Sequence, residues 1–485
     1  MAKVKAWKNG AVGEPPFPDD FEIVKKAVLQ VTDIKTNRNK YYGLELHRGK
    51  LNGSEVFRVF SHYGRTDDLQ TNPNAGQREC RYCSDLVHAQ SVYDSLYNQK
   101  TSARKGYKEL SLAASKIGSQ KGIGTSSGQM DAKTIKKLEE QENGKGKEKA
   151  KEKAKPKVEL PEVQVQDLVR YVYAEATNAL TNTVNAKITA QGIETPLGIL
   201  TIGQIEKGEG ILEQLFRQFK QKKRDPDEME RLSGEFYTLV PHRIGRSRAA
   251  VHDAIIDTLV EFEQKQETLQ LMKDMLQVNG EEGSVLFDEE IGAQYQALGC
   301  SIKYVPHDTG EYKELESYVI KSQVKTKSIR VKNIYSIKRE SEQKGFAESI
   351  GNQRLLFHGS RIKNWVGLLS RGILLPKIVV SMGVNRTDAG WLGHGIYFGD
   401  AACTAAFYTT PGKKSTRLMS LVRVALGKMK DFKKITYGMS EPPPGYNSCH
   451  GVRRKALVSS QFDDDEYVIY DTKQQRMEYL VEFTA

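Results

Sequence analysis

The sequence predicts a multidomain α+β protein with a small β-rich domain first, an all-α bundle second and a mixed α/β domain last. Three observations carry this expectation. The chain has 485 residues, too many for one hydrophobic core, so it divides into several domains. Apolar and polar residues alternate near the N-terminus with the period of a strand, then recur over 159–280 with the period of a helix. Beyond residue 280 strand-like runs return with helical stretches between them.

Residues 1–26 read as a flexible tail and 27–118 as the β-rich domain. Tyr41–His47 and Glu55–His62 alternate, with a Gly/Asn turn at Leu51–Ser54 between them, and Asp85 to Tyr97 suits a helix. Residues 119–158 break the pattern. Lys145 to Lys157 is almost entirely Lys, Glu, Ala and Gly, which cannot bury enough apolar area to offset its ordering entropy, so a flexible linker is expected. The glycines of Gly122-Ile-Gly-Thr-Ser-Ser-Gly128 lack the preceding strand and following Gly-Lys-Ser/Thr of a phosphate loop.

In 159–280, Val165, Leu168, Val169, Val172 and Ala176 share one helical face. Thr201 and Gln204 make a capping box ahead of Ile205, Leu212, Leu215, Phe216 and Phe219, and a last long helix is expected from about Arg248 to Leu276. In 281–485 the strand candidates are Ser301–Val305, Ser328–Lys338, Leu355–His358, Gly395–Phe398, Leu418–Leu426, Glu466–Tyr470 and Met477–Phe483. Lys313–Lys321 and Trp365–Arg371 interleave as helices.

Apolar content of 38% and the absence of any apolar run near the roughly 20 residues of a membrane span set aside a membrane protein. Met1 to Pro18 holds no apolar signal region, which argues against secretion. The five cysteines are an odd number, which points to a reducing compartment. Cys80 and Cys83 form a C-x-x-C without the further ligands a zinc site needs, so no metal is expected. The formal charge of +12 favours polyanionic partners, because each Lys or Arg on a phosphate releases counterions.

Taken singly, His358, Tyr397, Tyr408 and Glu466 have ordinary structural explanations. Their order is the signal. Leu355-Leu-Phe-His-Gly-Ser-Arg361 is followed by Gly390-Trp-Leu-Gly-His-Gly-Ile-Tyr-Phe-Gly-Asp400, by Tyr408, and by Asp465-Glu-Tyr-Val-Ile-Tyr-Asp471. This resembles the catalytic domain of the poly(ADP-ribose) polymerase family. The resemblance implies a mixed α/β ADP-ribosyltransferase domain that consumes NAD as substrate, with Glu466, His358 and Tyr397 catalytic. By the same resemblance the NAD site comprises His358, Gly359, Ser360, Tyr397, Ala405 and Tyr408. His358 is expected to bind the adenine-ribose hydroxyl, and Gly359 to offer its backbone to the carboxamide. Tyr408 and Tyr397 are expected to wall the nicotinamide ring.

Breaking the glycosidic bond of NAD develops positive charge on the ribose, and Glu466 is expected to stabilise it and to help activate the acceptor. Two positions depart from the family pattern. Ala405 stands where a carboxamide-binding Ser is usual, with Thr404 beside it, and Leu374 replaces an Arg. Arg371-Gly-Ile-Leu-Leu-Pro-Lys377 and Pro443-Pro-Gly-Tyr-Asn-Ser-Cys-His-Gly451 look closest to the vault-associated branch, which adds single units.

Pro196-Leu-Gly-Ile-Leu-Thr201, Gln204-Ile205 and Phe236-Tyr-Thr-Leu-Val-Pro-His242 are similar to the family's helical regulatory domain. Leu29-Gln-Val-Thr-Asp-Ile34, Asn37-Arg-Asn-Lys-Tyr-Tyr42 and Lys105-Gly-Tyr-Lys108 resemble a WGR domain, with Tyr63-Gly-Arg65 at the naming tripeptide. A tyrosine there keeps a flat ring for stacking on a terminal base or sugar. The resemblance implies DNA strand breaks as partner, contacted by Tyr63, Arg65 and Lys40. It also implies a nuclear location and protein acceptors that include the chain itself. Polymer is the leading product. The alternatives are transfer of single units, a nearly inactive DNA-end-binding adaptor, and an NAD glycohydrolase with water as acceptor.

Overall fold

The computed structural model describes residues 4–119, 160–184, 186–189, 192–242, 244, 247, 249, 252–277, 291–324, 327–375 and 390–485. The chain forms two compact units. One comprises Met1–Lys155 and Leu180–Phe287, the other Pro156–Ala179 and Asp288–Ala485. The expected linker over 119–158 lies, beyond Ser119, outside the described residues.

The first unit begins with β1 (Trp7–Lys8), β2 (Phe21–Asp33), β3 (Arg38–Leu51), β4 (Ser54–Arg65), β5 (Gln77–Cys83), α1 (Leu86–Thr101), β6 (Lys108–Glu109) and β7 (Leu112–Ser115). Six strands form one sheet in the order β1-β5-β4-β3-β2-β6. The β3–β4 hairpin turns at Asn52 and Gly53, with φ of 51° and 84°. Two consecutive positive φ values match the right-handed twist of the strands, which is why Asn-Gly sits there. Asp85 caps α1 by accepting from the His88 N–H at 2.8 Å. The stretch expected as a tail instead pairs Trp7 with Cys80 in β1 and supplies the first residues of β2.

Then come α2 (Val163–Thr183), of which the part up to Ala179 belongs to the second unit, and β8 (Lys187–Thr189), β9 (Gly192–Glu194) and β10 (Gly198–Leu200). Helices α3 (Ile202–Phe219), α4 (Pro226–Leu239) and α5 (Leu259–Gln277) make the helical region. The three short strands join β7 in a sheet ordered β7-β10-β9-β8. No local period announces strands of three residues; β8, β9 and β10 pair in succession, and only β10 reaches across the linker to β7.

The Thr201 cap forms, its hydroxyl accepting from the Gln204 N–H at 3.2 Å. Gln204 does not reach back, since its amide accepts from Ser111 N–H at 2.8 Å and donates to the Leu239 carbonyl at 3.0 Å. The reciprocal box occurs at Thr258 and Glu261, with distances of 3.1 and 3.2 Å. It starts α5 at Leu259, not near Arg248 as expected.

The second unit continues with α6 (Ile291–Ala297), β11 (Ser301–Tyr304), α7 (Gly310–Lys321), β12 (Arg330–Lys338), α8 (Glu340–Gly345), β13 (Gln353–Gly359), α9 (Trp365–Arg371) and β14 (Ile396–Gly399). It ends with α10 (Ala402–Phe407), β15 (Arg417–Ala425), β16 (Met429–Phe432), β17 (Ser448–Gly451), β18 (Glu466–Ile469) and β19 (Gln475–Thr484). Nine strands form a mixed sheet ordered β11-β12-β19-β15-β13-β14-β18-β17-β16. β13 pairs with β15 along seven residues, but with β14 only at Phe357 and Gly399. Past that pair the sheet opens between β13 and β14, and the end of β13 carrying His358 and Gly359 is left without a ladder on that side. The predicted β-rich, helical and mixed α/β regions are all present.

Candidate active site

The opening between β13 and β14 collects the motif residues, although they lie far apart in sequence. His358 ends β13, and its Nδ1 donates to the Tyr397 carbonyl on β14 at 3.0 Å. Burial holds its imidazole below the usual histidine value, against the opposing effect of that carbonyl. The ring is therefore neutral at pH 7 with its proton on Nδ1, which makes Nε2 an acceptor suited to a hydroxyl.

Gly359 follows, and a Cβ there would run into the backbone carbonyl of Ala405 on α10. The close approach of β13 to α10 thus requires glycine at this position. Ser360 accepts from Asn364 Nδ2 at 3.2 Å, which orients its hydroxyl towards α9.

The hydroxyl of Tyr397 donates to the Gly393 carbonyl at 2.7 Å and accepts from the Leu392 N–H at 2.9 Å. It therefore braces the Gly390–Gly393 turn and leaves the ring as a wall. Gly390, at φ +30°, is closed to any side chain because its Cβ would enter that ring. Burial, with the Glu466 charge contributing, raises the Tyr397 phenol well above its ordinary value.

Glu466 opens β18 in register with Gly399 of β14 and Gly451 of β17. Burial and then the Asp464 charge push its carboxyl up to about 7, and among the described residues no cation offsets them. Tyr408, 61% exposed, follows α10. The covered part of its ring and then the Glu466 charge push its phenol up. Glu466, Tyr397 and Tyr408 thus share one electrostatic environment.

Ala405 is buried in the core cluster with Phe357 and Met419. Beside it Thr404 lies against Gly399, and its Oγ1 is buried with no hydrogen-bond partner among the described residues. Leu374 is 37% exposed.

Sequence reasoning missed the frame around Glu466. His450 bridges Asp431 and Asp465 at 2.9 and 3.0 Å and stacks on Tyr467 with ring centroids 4.7 Å apart. Arg453 donates its N–H to Asp465 at 2.9 Å and its guanidinium to Asp400 at 3.0 Å. Together they hold the acidic turn that delivers Glu466 to the sheet. Only the alternation of His450 and Arg453 with acidic partners distant in sequence marks them, and sequence spacing does not reveal that pairing.

In the β-rich domain Lys40 and Arg65 are register partners, as are Tyr42 and Tyr63. The Tyr63 ring stacks on Tyr42 at 5.5 Å, and its hydroxyl donates to Glu79 at 2.7 Å. Arg65 is ion-paired with Asp67 at 3.1 Å and donates to the Asn37 carbonyl at 3.2 Å. Lys100, not singled out from sequence, lies 4.0 Å over the Tyr42 ring. Among the described residues no group of three His, Cys, Asp or Glu is placed to hold a metal, and no helix is long and apolar enough to cross a membrane.

Residues 309–485 match the poly(ADP-ribose) polymerase catalytic domain, and 160–280 match its regulatory domain. Residues 25–113 match the WGR domain. The chain belongs to the poly(ADP-ribose) polymerase family. Protein mono-ADP-ribosyltransferase PARP4 of Mus musculus is 35% identical over 66% of this chain and 15% of its own length. The Homo sapiens counterpart is 34% identical over 66% of the chain and 18% of its own length, so the chain spans less than a fifth of either. Poly [ADP-ribose] polymerase 2 of Zea mays is 25% identical over 99% of the chain and 75% of its own length. Residues 309–485 are thus a catalytic domain of this family by sequence.

Proposed function

We propose that this chain transfers ADP-ribose from NAD to protein acceptors, itself included, and that DNA breaks activate it in the nucleus as part of the damage response. The observation that carries the transferase reading is the Glu466 carboxyl, half-buried beside Tyr397 and Tyr408 and raised by burial and Asp464 with no cation opposing them among the described residues. An anion so placed gains most when positive charge develops next to it.

In the reaction His358 Nε2 accepts from an adenine-ribose hydroxyl. Gly359 leaves its backbone open to the carboxamide, and the Tyr397 and Tyr408 rings confine the nicotinamide. The bond from ribose C1′ to the nicotinamide nitrogen breaks, and its electron pair leaves with neutral nicotinamide. Glu466, ionised, holds the ribose 2′-hydroxyl and stabilises the cation. An acceptor oxygen then forms the new bond at C1′ and gives up its proton to the Glu466 carboxylate. Ser360 is assigned to the same site through the motif it shares with His358 and Gly359.

We assign DNA contact to Lys40, Arg65 and Tyr63. The side-by-side register of Lys40 and Arg65 supports this. For Arg65 and Tyr63 it requires exchange of the Asp67 and Glu79 partners for phosphate or sugar. Polymer is the product proposed. Single-unit transfer is the second reading, favoured by the identity with relatives named mono-ADP-ribosyltransferases and by the missing hydroxyl at Ala405.

Labelled NAD, with and without nicked DNA, resolved on a gel, reports transfer, DNA dependence and product length together. Glu466→Gln is expected to remove the protein-bound label, and unchanged yield would sink the mechanism. Label released only as free ADP-ribose would support the glycohydrolase instead, and DNA binding without any transfer would support the adaptor.

A further inference from the structure

Helix α2 lies in the segment matched to the regulatory domain, yet up to Ala179 it is part of the same compact unit as the catalytic sheet. Besides Tyr173 and Gln164, which bond Gln294 of α6 and Tyr335 of β12, it meets the loop running from Tyr408 to the start of β15. The Tyr171 hydroxyl donates to the Thr416 carbonyl at 3.1 Å. The Glu175 carboxylate accepts from the Lys413 N–H at 2.7 Å. Between these two contacts sits Gly412, where a Cβ would strike the Tyr171 hydroxyl and crowd the Glu175 carboxylate. Lys414 completes the clasp, with its ammonium 5.0 Å over the Tyr171 ring.

The opposite side of the loop is tied to the catalytic core. Arg417 donates to the Thr409 carbonyl at 2.6 Å, and the Ile362 N–H reaches Thr410 Oγ1 at 3.4 Å, just beyond the His358–Ser360 motif. Thr416 Oγ1 donates to Glu482 of β19 at 2.8 Å. Tyr408 itself is joined to α10 through its N–H to the Ala405 carbonyl at 3.1 Å. With 61% of its surface open, its own packing does little to hold its ring. Tyr408 thus stands where α10 ends and the loop begins, and that loop is gripped by α2.

We propose that Tyr171 and Glu175 are positioning residues for the NAD site, acting through the 409–416 loop to set the Tyr408 ring against nicotinamide. The first helix of the regulatory segment is then a fixed buttress of the active site. This rests on the proposed role of Tyr408 in NAD binding. It assigns to α2 a part in substrate affinity separate from any response to DNA.

The test uses the full chain with nicked duplex DNA present. Binding is measured calorimetrically with an NAD isostere in which benzamide replaces nicotinamide, so that no leaving group departs, and turnover with NAD. Tyr171→Phe and Glu175→Ala are each expected to weaken isostere binding and raise KM roughly three- to ten-fold, the loss of about one net hydrogen bond. The kcat is expected to stay within about two-fold, since the loop acts on binding and not on Glu466. Glu175→Gln keeps an acceptor oxygen for the Lys413 N–H and is expected to bind as the unaltered chain does. In a Tyr408→Ala background, Tyr171→Phe is expected to have no further effect, because the two act as a unit.

A fall in Tm without any change in isostere affinity would show a purely structural contact and overturn the proposal. So would the same fold-change in the Tyr408→Ala background. Isostere binding by a chain that transfers no ADP-ribose would refute the proposed activity while leaving this inference to be decided by the affinities.

Discussion

The pH dependence of turnover follows from the setting of Glu466. Burial and Asp464 push its carboxyl from the ordinary 4.5 up to about 7. The proposed chemistry needs the carboxylate, so protonation removes activity and the rate rises with pH. With a midpoint near 7, kcat/KM is expected to be about half its plateau at pH 7 and roughly one-tenth at pH 6. A carboxyl at the ordinary value would leave the profile flat over that range. Burial moves His358 the other way, below the ordinary histidine value. Asp464→Asn removes a like charge and moves the limb to lower pH, but burial remains, so the limb does not fall back to the ordinary range. The assay is initial rate with labelled NAD at subsaturating concentration from pH 5.5 to 9, with melting curves to show the fold intact. A flat profile from pH 6 to 8, or an Asp464→Asn limb that stays in place, would refute the reasoning.

Three further outcomes follow from the same geometry. Gly359→Ala drives a Cβ into the Ala405 carbonyl; a loss of ~1–3 kcal/mol in stability and at least a roughly ten-fold loss of NAD affinity are expected in melts and calorimetry. Ala405→Ser restores the missing hydroxyl, and benzamide is expected to bind tighter by ~0.5–1.5 kcal/mol, read by competition. In the first unit Glu45 is buried with Lys26 at 2.9 Å and His47 at 2.8 Å. Burial alone would raise the Glu45 carboxyl, but His47 and Lys26 prevail and hold it at about 2. Burial likewise lowers His47, and lowers His62 to about 4. All three signs agree. The folded unit binds fewer protons than the unfolded chain, so its stability is present above about pH 6.5 and declines as pH falls. Each group costs about 1.4 kcal/mol per pH unit once it must gain a proton against its lowered value. A Tm unchanged between pH 7 and 4.5 would refute this.

Much of the architecture could be read locally. Asn52-Gly53 specified its hairpin through two positive φ values, Asp85 and Thr201 capped their helices, and the runs around Leu355, Tyr397 and Glu466 formed the expected strands. Each of these depends on a handful of neighbouring residues, which is what sequence pattern reports. The strands over 187–200 could not be read this way, since three residues carry no period and the last of them pairs with Leu112–Ser115, remote in the chain. The second capping box was overlooked because Thr258-x-x-Glu261 fell inside a longer apolar pattern.

The site divides along the same line. Residue types in their order were enough to identify His358, Gly359, Tyr397, Tyr408 and Glu466 as candidates and to tie them to NAD chemistry. Only the tertiary structure decided how each one stands. The Tyr397 carbonyl sets the His358 tautomer, and the Ala405 carbonyl excludes a side chain at Gly359. Asp464 and burial set the protonation of Glu466, and α2 grips the loop that carries Tyr408. Those outcomes arise from desolvation and from contacts between segments remote in the chain. Such energies depend on distances that exist only after folding, whereas the backbone preferences and reactive groups of single residues are present in the sequence from the start.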